Sequence, residues 1–230
     1  MTSTTGYHSL AEHNPDVELT LIRHGESIWN AEHRYQGQQG PGLSPLGHQQ
    51  AAHAAEFLER EFKPFDLVLA SDLPRVQETA QPWIKLTGRT PITDPRWREI
   101  DAGAWSGLFR EDVQDRFADE YLTFRRGEDV ARGGGESFAM FRRRVVDAMT
   151  ELVLHAARDI AARPAQVLIF THGGCIEMCS AEALGLPPMK HTWLRPVINC
   201  SVTRLGYTVG NGELTAMSLL DYNLSTQPIE

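Results

Sequence analysis

Residues 18–27 read Glu-Leu-Thr-Leu-Ile-Arg-His-Gly-Glu-Ser, a short apolar run that ends in charged and polar residues. The apolar part, residues 18–22, has the length and composition of a buried β-strand. Later stretches repeat the arrangement of an apolar run followed by a polar turn: residues 65–70 and 166–170. The sequence therefore predicts strands whose carboxyl ends carry polar side chains.

Amphipathic stretches follow these strands. Apolar residues recur at helical spacing over residues 45–61, 74–87 and 138–162. Strands that alternate with helices are typical of an α/β fold, so we expect a three-layer sandwich with a mainly parallel central sheet flanked by helices. A further strand, residues 200–207, and its hairpin partner, residues 213–219, are predicted on either side of a Gly-Asn-Gly turn.

The 230 residues are enough for one sizeable core, and the prediction is a single domain spanning residues 18–225. Residues 1–17 are polar and are expected to form a flexible N-terminal tail, with residues 226–230 as a short C-terminal tail. Residues 104–135 are rich in Arg, Asp and Phe and end in three glycines, which favour mobility. We expect a small helical lid insertion there, the lid segment.

The charge and composition of the chain limit the kinds of partner that it can bind. The chain holds 22 basic and 30 acidic residues, a formal net charge of −8, and such a surface repels nucleic-acid backbones and anionic lipids. No apolar run approaches the ~20 residues of a transmembrane helix, and the first residues do not resemble a signal peptide. We therefore expect a cytoplasmic protein that binds neither nucleic acid nor membrane. Its cysteines, Cys175, Cys179 and Cys200, form no CxxC pair, which argues against a disulfide framework and a zinc ribbon.

Arginine and histidine side chains follow the predicted strands. The first strand is followed by Arg23 and His24, the second by Arg75, and the third by His172. The carboxyl ends of parallel strands meet at one edge of a sheet, and helices that start there aim free N–H groups at the same crevice. Because a guanidinium fork matches phosphate oxygens, these residues together predict a phosphate site.

Several stretches resemble the histidine phosphatase (phosphoglycerate mutase-like) superfamily, and in particular its phosphatase branch. They are LIRHGES (21–27), SDLPRVQETA (71–80), REIDAGAWSG (98–107) and FTHGG (170–174). The resemblance implies a metal-independent phosphatase that hydrolyses a small phosphomonoester through a phosphohistidine intermediate. The enzyme class it implies is a phosphoric monoester hydrolase of the histidine acid phosphatase type. Its partner would be a small-molecule phosphate ester, with no cofactor and no metal.

The resemblance also assigns roles by position. It makes His24 the nucleophile and Glu99 the general acid, and it places Arg23, Arg75 and His172 in the phosphate pocket. The chemistry agrees, because attack on phosphorus needs a neutral imidazole and neighbouring guanidinium groups disfavour the charged form. A general acid must carry a proton at the working pH in order to protonate the leaving alkoxide.

Other positions match the substrate contacts of the family. Asn30, Gln36 and Gly37 are expected beside the substrate, and Gly173 lets the backbone pass close to a ligand. The chain departs from the family in residues 37–44, which read Gly-Gln-Gln-Gly-Pro-Gly-Leu-Ser and lack the acidic residue that is usual there. This departure predicts a loop that is more mobile or is shaped for another substrate.

Other functions share parts of this pattern. A cofactor-dependent phosphoglycerate mutase would use the same pocket, and Arg125 and Arg126 resemble an arginine pair of such enzymes, although residues 109–132 contain no lysine. A non-catalytic phosphate-binding module would have lost His24 or Glu99, and both are present. A metal hydrolase would need more carboxylates at ligand spacing. The oligomeric state stays open, with a homodimer as one option.

Overall fold

Six strands form one sheet in the computed structural model, which describes residues 14–62, 64–160, 162–187 and 193–228. The strands are β1 Val17–Arg23, β2 Leu67–Ala70, β3 Ile92–Thr93, β4 Ala165–Thr171, β5 Val202–Gly210 and β6 Glu213–Leu224. Their order across the sheet is β3-β2-β4-β1-β5-β6. Strands β3, β2, β4 and β1 run parallel, whereas β5 is antiparallel to both β1 and β6. The sheet is therefore mainly parallel, as the sequence predicts.

Helices cover both faces of this sheet. The helices are α1 Ile28–Ala31, α2 Pro45–Glu61, α3 Pro74–Thr87, α4 Arg110–Arg116, α5 Ala118–Arg125, α6 Phe138–Asp159 and α7 Gly173–Ala183. Those that pack on the sheet are α2, α3, α6 and α7. Along β4, Val167 and Ile169 pack into a core with α6 and α7, whereas Leu168 and Phe170 pack into a second core with α2 and α3. Alternate residues of a strand point to opposite faces, so both faces of the sheet are buried. The predicted α/β three-layer sandwich is confirmed.

The predicted helices at residues 45–61 and 74–87 have the bounds observed for α2 and α3. Each begins with a proline, which fits there because the first N–H groups of a helix have no partner within it. The hydroxyl of Ser44 caps α2 by accepting from the Gly47 N–H at 3.0 Å. The third helix, predicted over residues 138–162, is α6, and it ends at Asp159, three residues earlier than predicted.

The strand predicted at residues 200–207 is shifted along the chain. β5 begins at Val202, because Cys200 has a φ of 54°, in the left-handed region that strands exclude. β5 and β6 are joined through Asn211 and Gly212, whose φ values of 54° and 79° suit a two-residue hairpin turn. The hairpin extends further along both strands than predicted.

The lid segment, residues 104–135, contains α4 and α5. Its aromatic side chains, among them Tyr121 and Phe124, pack around the fully buried Trp105. At the return toward α6, a Cβ atom at Gly103 would lie 2.2 Å from the carbonyl oxygen of Gly133. Gly133 and Gly135 therefore have a packing role, since they let two backbone segments approach closely, whereas a Cβ atom at Gly134 would meet open space.

Most of the predicted tails lie outside the described residues, namely residues 1–13 and 229–230. Where the tails meet the domain, Val17 is buried in β1, and the buried Thr226 hydroxyl donates to the Cys200 carbonyl oxygen at 2.7 Å. None of the helices in the described ranges is both long enough and apolar enough to span a membrane.

The loop after β1 packs directly against the first turn of α2. A Cβ atom at Gly47 would lie 2.0 Å from the Glu26 carbonyl oxygen, and a Cβ atom at Gly25 would lie 2.5 Å from the Gly47 carbonyl oxygen. The Ser44 hydroxyl also donates to the Glu26 carboxylate at 2.7 Å. These contacts hold in place the loop that begins at His24.

We predict that Gly47→Ala lowers the free energy of unfolding by about 1–3 kcal/mol, because the added methyl group overlaps the Glu26 carbonyl. Helix propensity alone predicts the opposite sign, a gain of about 1 kcal/mol. Urea titration followed by circular dichroism measures the difference. The control is Gln49→Ala, at an exposed position of the same helix, which should change stability by less than ~0.5 kcal/mol. A Gly47→Ala protein as stable as the wild type would contradict the close contact.

Candidate active site

The ends of β1 and β4 place two histidines at one edge of the sheet. The strands pair with Arg23 opposite Thr171, so His24 and His172 follow at the same level. Their ring centroids are 5.2 Å apart and the rings meet edge to face. Both side chains are buried. The structure thus brings together histidines that are far apart in the sequence.

Arg75, in the first turn of α3, links these histidines. Its Nε donates to His24 Nε2 at 3.3 Å, and its Nη2 donates to His172 Nδ1 at 3.1 Å. The same guanidinium donates to the carbonyl oxygens of Gly37 at 2.8 Å and Gln39 at 3.0 Å. Burial lowers the pKa of Arg75 to about 10, so the group is a charged donor at neutral pH.

Hydrogen bonds determine which ring nitrogen carries the proton in each histidine. The Gly25 carbonyl oxygen, 2.7 Å from His24 Nδ1, can only accept, so Nδ1 is protonated and Nε2 keeps its lone pair. In His172, Nδ1 accepts from Arg75, so Nε2 donates to Ser71 Oγ at 2.9 Å. The pKa values of both histidines lie well below the usual value, chiefly because of burial and then because of the Arg75 charge. Both rings are therefore neutral.

Arg23, the last residue of β1, reaches the same place. Its Nη1 donates to the Val197 carbonyl oxygen, whereas its buried Nε has no hydrogen-bond partner within the described ranges. A Cβ atom at Gly173 would lie 3.5 Å from this Nε, so the α7 backbone passes close beside it. A buried donor without a partner is costly. An anionic ligand that accepts from Arg23 would remove this cost.

Backbone N–H groups hold the carboxyl group of Glu99. Its Oε1 accepts from the Ile100 N–H at 2.9 Å, and its Oε2 accepts from the Gly174 N–H, in the first turn of α7, at 3.0 Å. A Cβ atom at Gly174 would lie 2.2 Å from Glu99 Oε1, so this approach requires glycine at position 174. The carboxyl group is therefore fixed relative to the start of α7.

A cavity of about 310 Å³ lies at this edge of the sheet. Its lining includes most of the residues predicted for the site: Arg23, His24, Asn30, Gln36, Gly37, Arg75 and Glu99. His172 and Gly173 lie behind this lining, where His172 contacts Arg75 and Gly173 lies beside Arg23. Ligand sites in proteins have volumes of roughly 300–1,000 Å³, so this cavity suits a small ligand.

Asn30 and Gln36 have structural partners as well as a place in the lining. Ser27 caps α1 by accepting from the Asn30 N–H at 3.0 Å, and Asn30 Oδ1 accepts from the Ser27 N–H at 3.3 Å. Gln36 Oε1 accepts from the Ser27 hydroxyl at 2.7 Å. These bonds use the side-chain oxygens, which leaves both amide nitrogens to act as donors to a ligand.

The lining also contains residues that the sequence patterns do not indicate, among them Arg34, Tyr35, Arg132 and Glu177. Glu177 lies one helical turn after Gly173 on α7, so helical spacing from that glycine is the signal that could have indicated it. Burial, and after it the charge of Glu99, raise the pKa of Glu177 to about 7. Arg132 carries no comparable signal, because the lid segment brings it to the cavity.

These groups together suit the transfer of a phosphoryl group. Arg23 and Arg75 supply the charge that phosphate oxygens need, and His24 Nε2 supplies a lone pair. Glu99 supplies a carboxyl group that can give or take a proton. In the part of the chain that the structure describes, no three His, Cys, Asp or Glu side chains gather as ligands for a metal ion.

The chain is similar to known proteins along most of its length. The sequence model of the histidine phosphatase superfamily (branch 1) matches residues 19–219. A glucosyl-3-phosphoglycerate phosphatase of Mycolicibacterium vanbaalenii is 34% identical over 210 residues, which cover 90% of this chain and 92% of that protein. A probable phosphoglycerate mutase of an Enterobacter species is 33% identical over 83% of this chain and 85% of that protein.

Comparison with solved structures points to the same family as comparison with sequences. The complex of a mycobacterial glucosyl-3-phosphoglycerate phosphatase with VO3 superposes with a TM-score of 0.77 at 32% identity. The superposition covers 91% of this chain and 100% of that one. Because the family match, the relatives and the superposition all extend over nearly the whole domain, this chain belongs to the histidine phosphatase superfamily.

Proposed function

We propose that this protein is a phosphatase that hydrolyses a small phosphomonoester through a phosphohistidine on His24, with Glu99 as the general acid. The observation that carries the proposal is the state of His24, a neutral ring whose Nδ1 is held by Gly25 and whose Nε2 lone pair lies beside Arg75. The names of two relatives support hydrolysis, since both are glucosyl-3-phosphoglycerate phosphatases. The VO3 bound to one of them is a phosphate-like anion.

In the first step of this mechanism, the phosphoryl group lies against the guanidinium groups of Arg23 and Arg75. His24 Nε2 forms a bond to phosphorus while the bond from phosphorus to the leaving oxygen breaks. Glu99 gives its proton to the leaving oxygen, so an alcohol departs and a carboxylate remains. The guanidinium groups offset the charge on the phosphoryl oxygens throughout the transfer.

In the second step, water attacks phosphorus from the side that the alcohol has left. The Glu99 carboxylate takes a proton from this water as its oxygen bonds to phosphorus, and the bond to His24 Nε2 breaks. Inorganic phosphate leaves, and His24 and Glu99 return to their starting states. The N–H groups of Ile100 and Gly174 keep the Glu99 carboxyl group in position for both proton transfers.

We predict that His24→Ala lowers kcat by at least about 10³-fold, because it removes the nucleophile. Binding of orthovanadate should persist, because Arg23 and Arg75 remain. Rapid alkaline quenching of the wild type should trap phosphate on His24, located by mass spectrometry. The control is His53→Ala, on an exposed position of α2, which should keep full activity. A His24→Ala protein with near wild-type turnover would rule out this mechanism.

We predict that Glu99→Gln lowers kcat/KM for alkyl phosphates by about 10²- to 10⁴-fold, because an alkoxide leaves poorly without a proton. For 4-nitrophenyl phosphate the loss should be under about 10-fold, since that leaving group needs little protonation. Steady-state kinetics on both substrates measures the contrast. Glu56→Gln, an exposed position on α2, is the control. Equal losses on both substrates would show that Glu99 only binds or orients.

A phosphoglycerate mutase is the second candidate function, because a relative at 33% identity bears that name. A mutase must keep water from the phosphohistidine and needs donors that hold the substrate carboxylate. The arginine pair that resembles the mutase pair lies elsewhere: Arg125 and Arg126 are exposed, and Arg126 pairs with Glu128. Neither is among the described residues that line the cavity. This arrangement favours hydrolysis.

We predict that 3-phosphoglycerate yields glycerate and phosphate at least about 10-fold faster than it yields 2-phosphoglycerate, because water reaches the phosphohistidine. Adding 2,3-bisphosphoglycerate should not reverse this preference. Phosphorus NMR distinguishes both isomers and free phosphate in one sample. If isomer formation outpaces phosphate release when the bisphosphate is present, the protein is a mutase.

A further inference from the structure

Two neighbouring arginines of α6 have different surroundings. The side chain of Arg143 is 85% exposed and pairs with Asp147, one turn further along the same helix. The side chain of Arg144 is only 21% exposed and contacts the segment that carries Glu99. Arg143 is therefore a surface charge, whereas Arg144 belongs to the packing behind the candidate active site.

Arg144 holds the backbone that leads into Glu99. Residues 98–102 form irregular backbone between two short 3-10 helices, so their carbonyl oxygens need donors from other parts of the chain. Arg144 Nη1 donates to the carbonyl oxygens of Arg96 at 2.8 Å and of Arg98 at 2.9 Å. Its Nη2 donates to the Glu99 carbonyl oxygen at 3.2 Å. One guanidinium group therefore fixes three carbonyl groups of this stretch.

Glu136 holds the same guanidinium group from the other side. Its Oε1 accepts from Arg144 Nε at 2.8 Å, and its Oε2 accepts from Arg144 Nη2 at 2.7 Å. The carboxylate also accepts from the Asp101 N–H at 3.0 Å. Burial opposes the charge of Glu136, but the hydrogen bond from Arg144 outweighs burial and holds the pKa of Glu136 below its usual range. This ion pair therefore contacts the backbone on both sides of Glu99.

The contacts of Arg144 reach the backbone of Glu99 and not a ligand, because Arg144 is not among the described residues that line the cavity. The Glu99 carboxyl group reaches the Gly174 N–H in α7 only while its own backbone stays in place. A displacement of about 1 Å in a catalytic group can lower the rate about 10²-fold. A group that transfers a proton is especially sensitive, since it must lie within hydrogen-bond reach of its partner.

We propose that Arg144 is a positioning residue for Glu99. Its guanidinium group holds the backbone of residues 96–99, so that the Glu99 carboxyl group stays within reach of the leaving oxygen. This proposal rests on the proposed function, because it takes Glu99 to be the general acid. Arg144 acts through Glu99 and does not touch the substrate.

The test compares leaving groups that differ in their need for a proton. Arg144→Met should lower kcat for the alkyl ester 3-phosphoglycerate about 10²-fold and change KM less than about 3-fold, because Arg23 and Arg75 remain. For 4-nitrophenyl phosphate the loss in kcat should be less than about 3-fold, and this activity also shows that the variant is folded.

Two further variants complete the comparison. Arg144→Lys keeps the charge that pairs with Glu136 but lacks the fork that spans the carbonyl groups, so its loss on 3-phosphoglycerate should be intermediate, about 10-fold. The matched control is Arg143→Met, at the exposed neighbouring position, which should leave kcat for both substrates unchanged.

A double-mutant cycle tests whether Arg144 acts through Glu99. In the Glu99→Gln background, Arg144→Met should lower kcat for 3-phosphoglycerate less than about 3-fold, because a side chain without an acidic proton gains nothing from accurate placement. A further loss of about 10²-fold in that background would overturn the proposal. Equal losses on both substrates in Arg144→Met alone would overturn it too, since they would indicate a general structural role.

Amide hydrogen exchange, followed by NMR, separates this proposal from the proposed reaction because it needs no turnover. The Gly174 N–H donates to Glu99 Oε2, so its exchange rate should rise about 10-fold or more in Arg144→Met and stay unchanged in Arg143→Met. If exchange rises but Glu99→Gln loses nothing on 3-phosphoglycerate, the general acid fails and the positioning role stands. If Glu99→Gln loses activity as predicted but Arg144→Met changes neither exchange nor kcat, the positioning role fails and the general acid stands.

Discussion

The rest of the site depends on the hydrogen bonds that the buried guanidinium group of Arg75 donates. A charge that is 1% exposed has lost its water, and the fold must replace those hydrogen bonds. The carbonyl oxygens of Gly37 and Gln39 replace part of them, which ties the loop after α1 to the start of α3. Ring nitrogens of His24 and His172 complete the set. One positive charge therefore organises a loop, a helix start and the protonation of both imidazoles.

Close contact between backbone segments gives the remaining parts of the site their positions. Gly174 lets the Glu99 carboxyl group reach the first turn of α7, and Gly47 lets the loop after β1 rest on α2. Gly103 does the same where the lid segment returns. Catalytic groups need to be held within about 0.5 Å, and contacts without intervening side chains leave little room for adjustment. Small residues at these points therefore matter as much as the charged residues they position.

Local patterns predict five of the strands, the main helices and the polar residues at the strand ends, because apolar periodicity and turn residues encode them. They do not predict β3, which has only two residues and no apolar run. Only the family resemblance predicts a role for Glu99, because this residue lies in irregular backbone where no periodic pattern indicates it. The late start of β5 was missed because residue type does not reveal the left-handed conformation of Cys200. Arg132 was missed because its place in the cavity depends on how the lid segment packs on the domain. The parts that escaped prediction are set by tertiary contacts.

The carboxyl group of Glu177, in the cavity lining, can gain or lose a proton near neutral pH. Its pKa of about 7 results from burial and from the neighbouring charge of Glu99. A phosphate dianion that enters the same cavity adds negative charge, which favours the protonated carboxyl group further. Binding of dianions above neutral pH is therefore linked to uptake of a proton, and their affinity falls as the pH rises. Release of the dianion returns this proton to the solution, so the heat of binding depends on the buffer that supplies it.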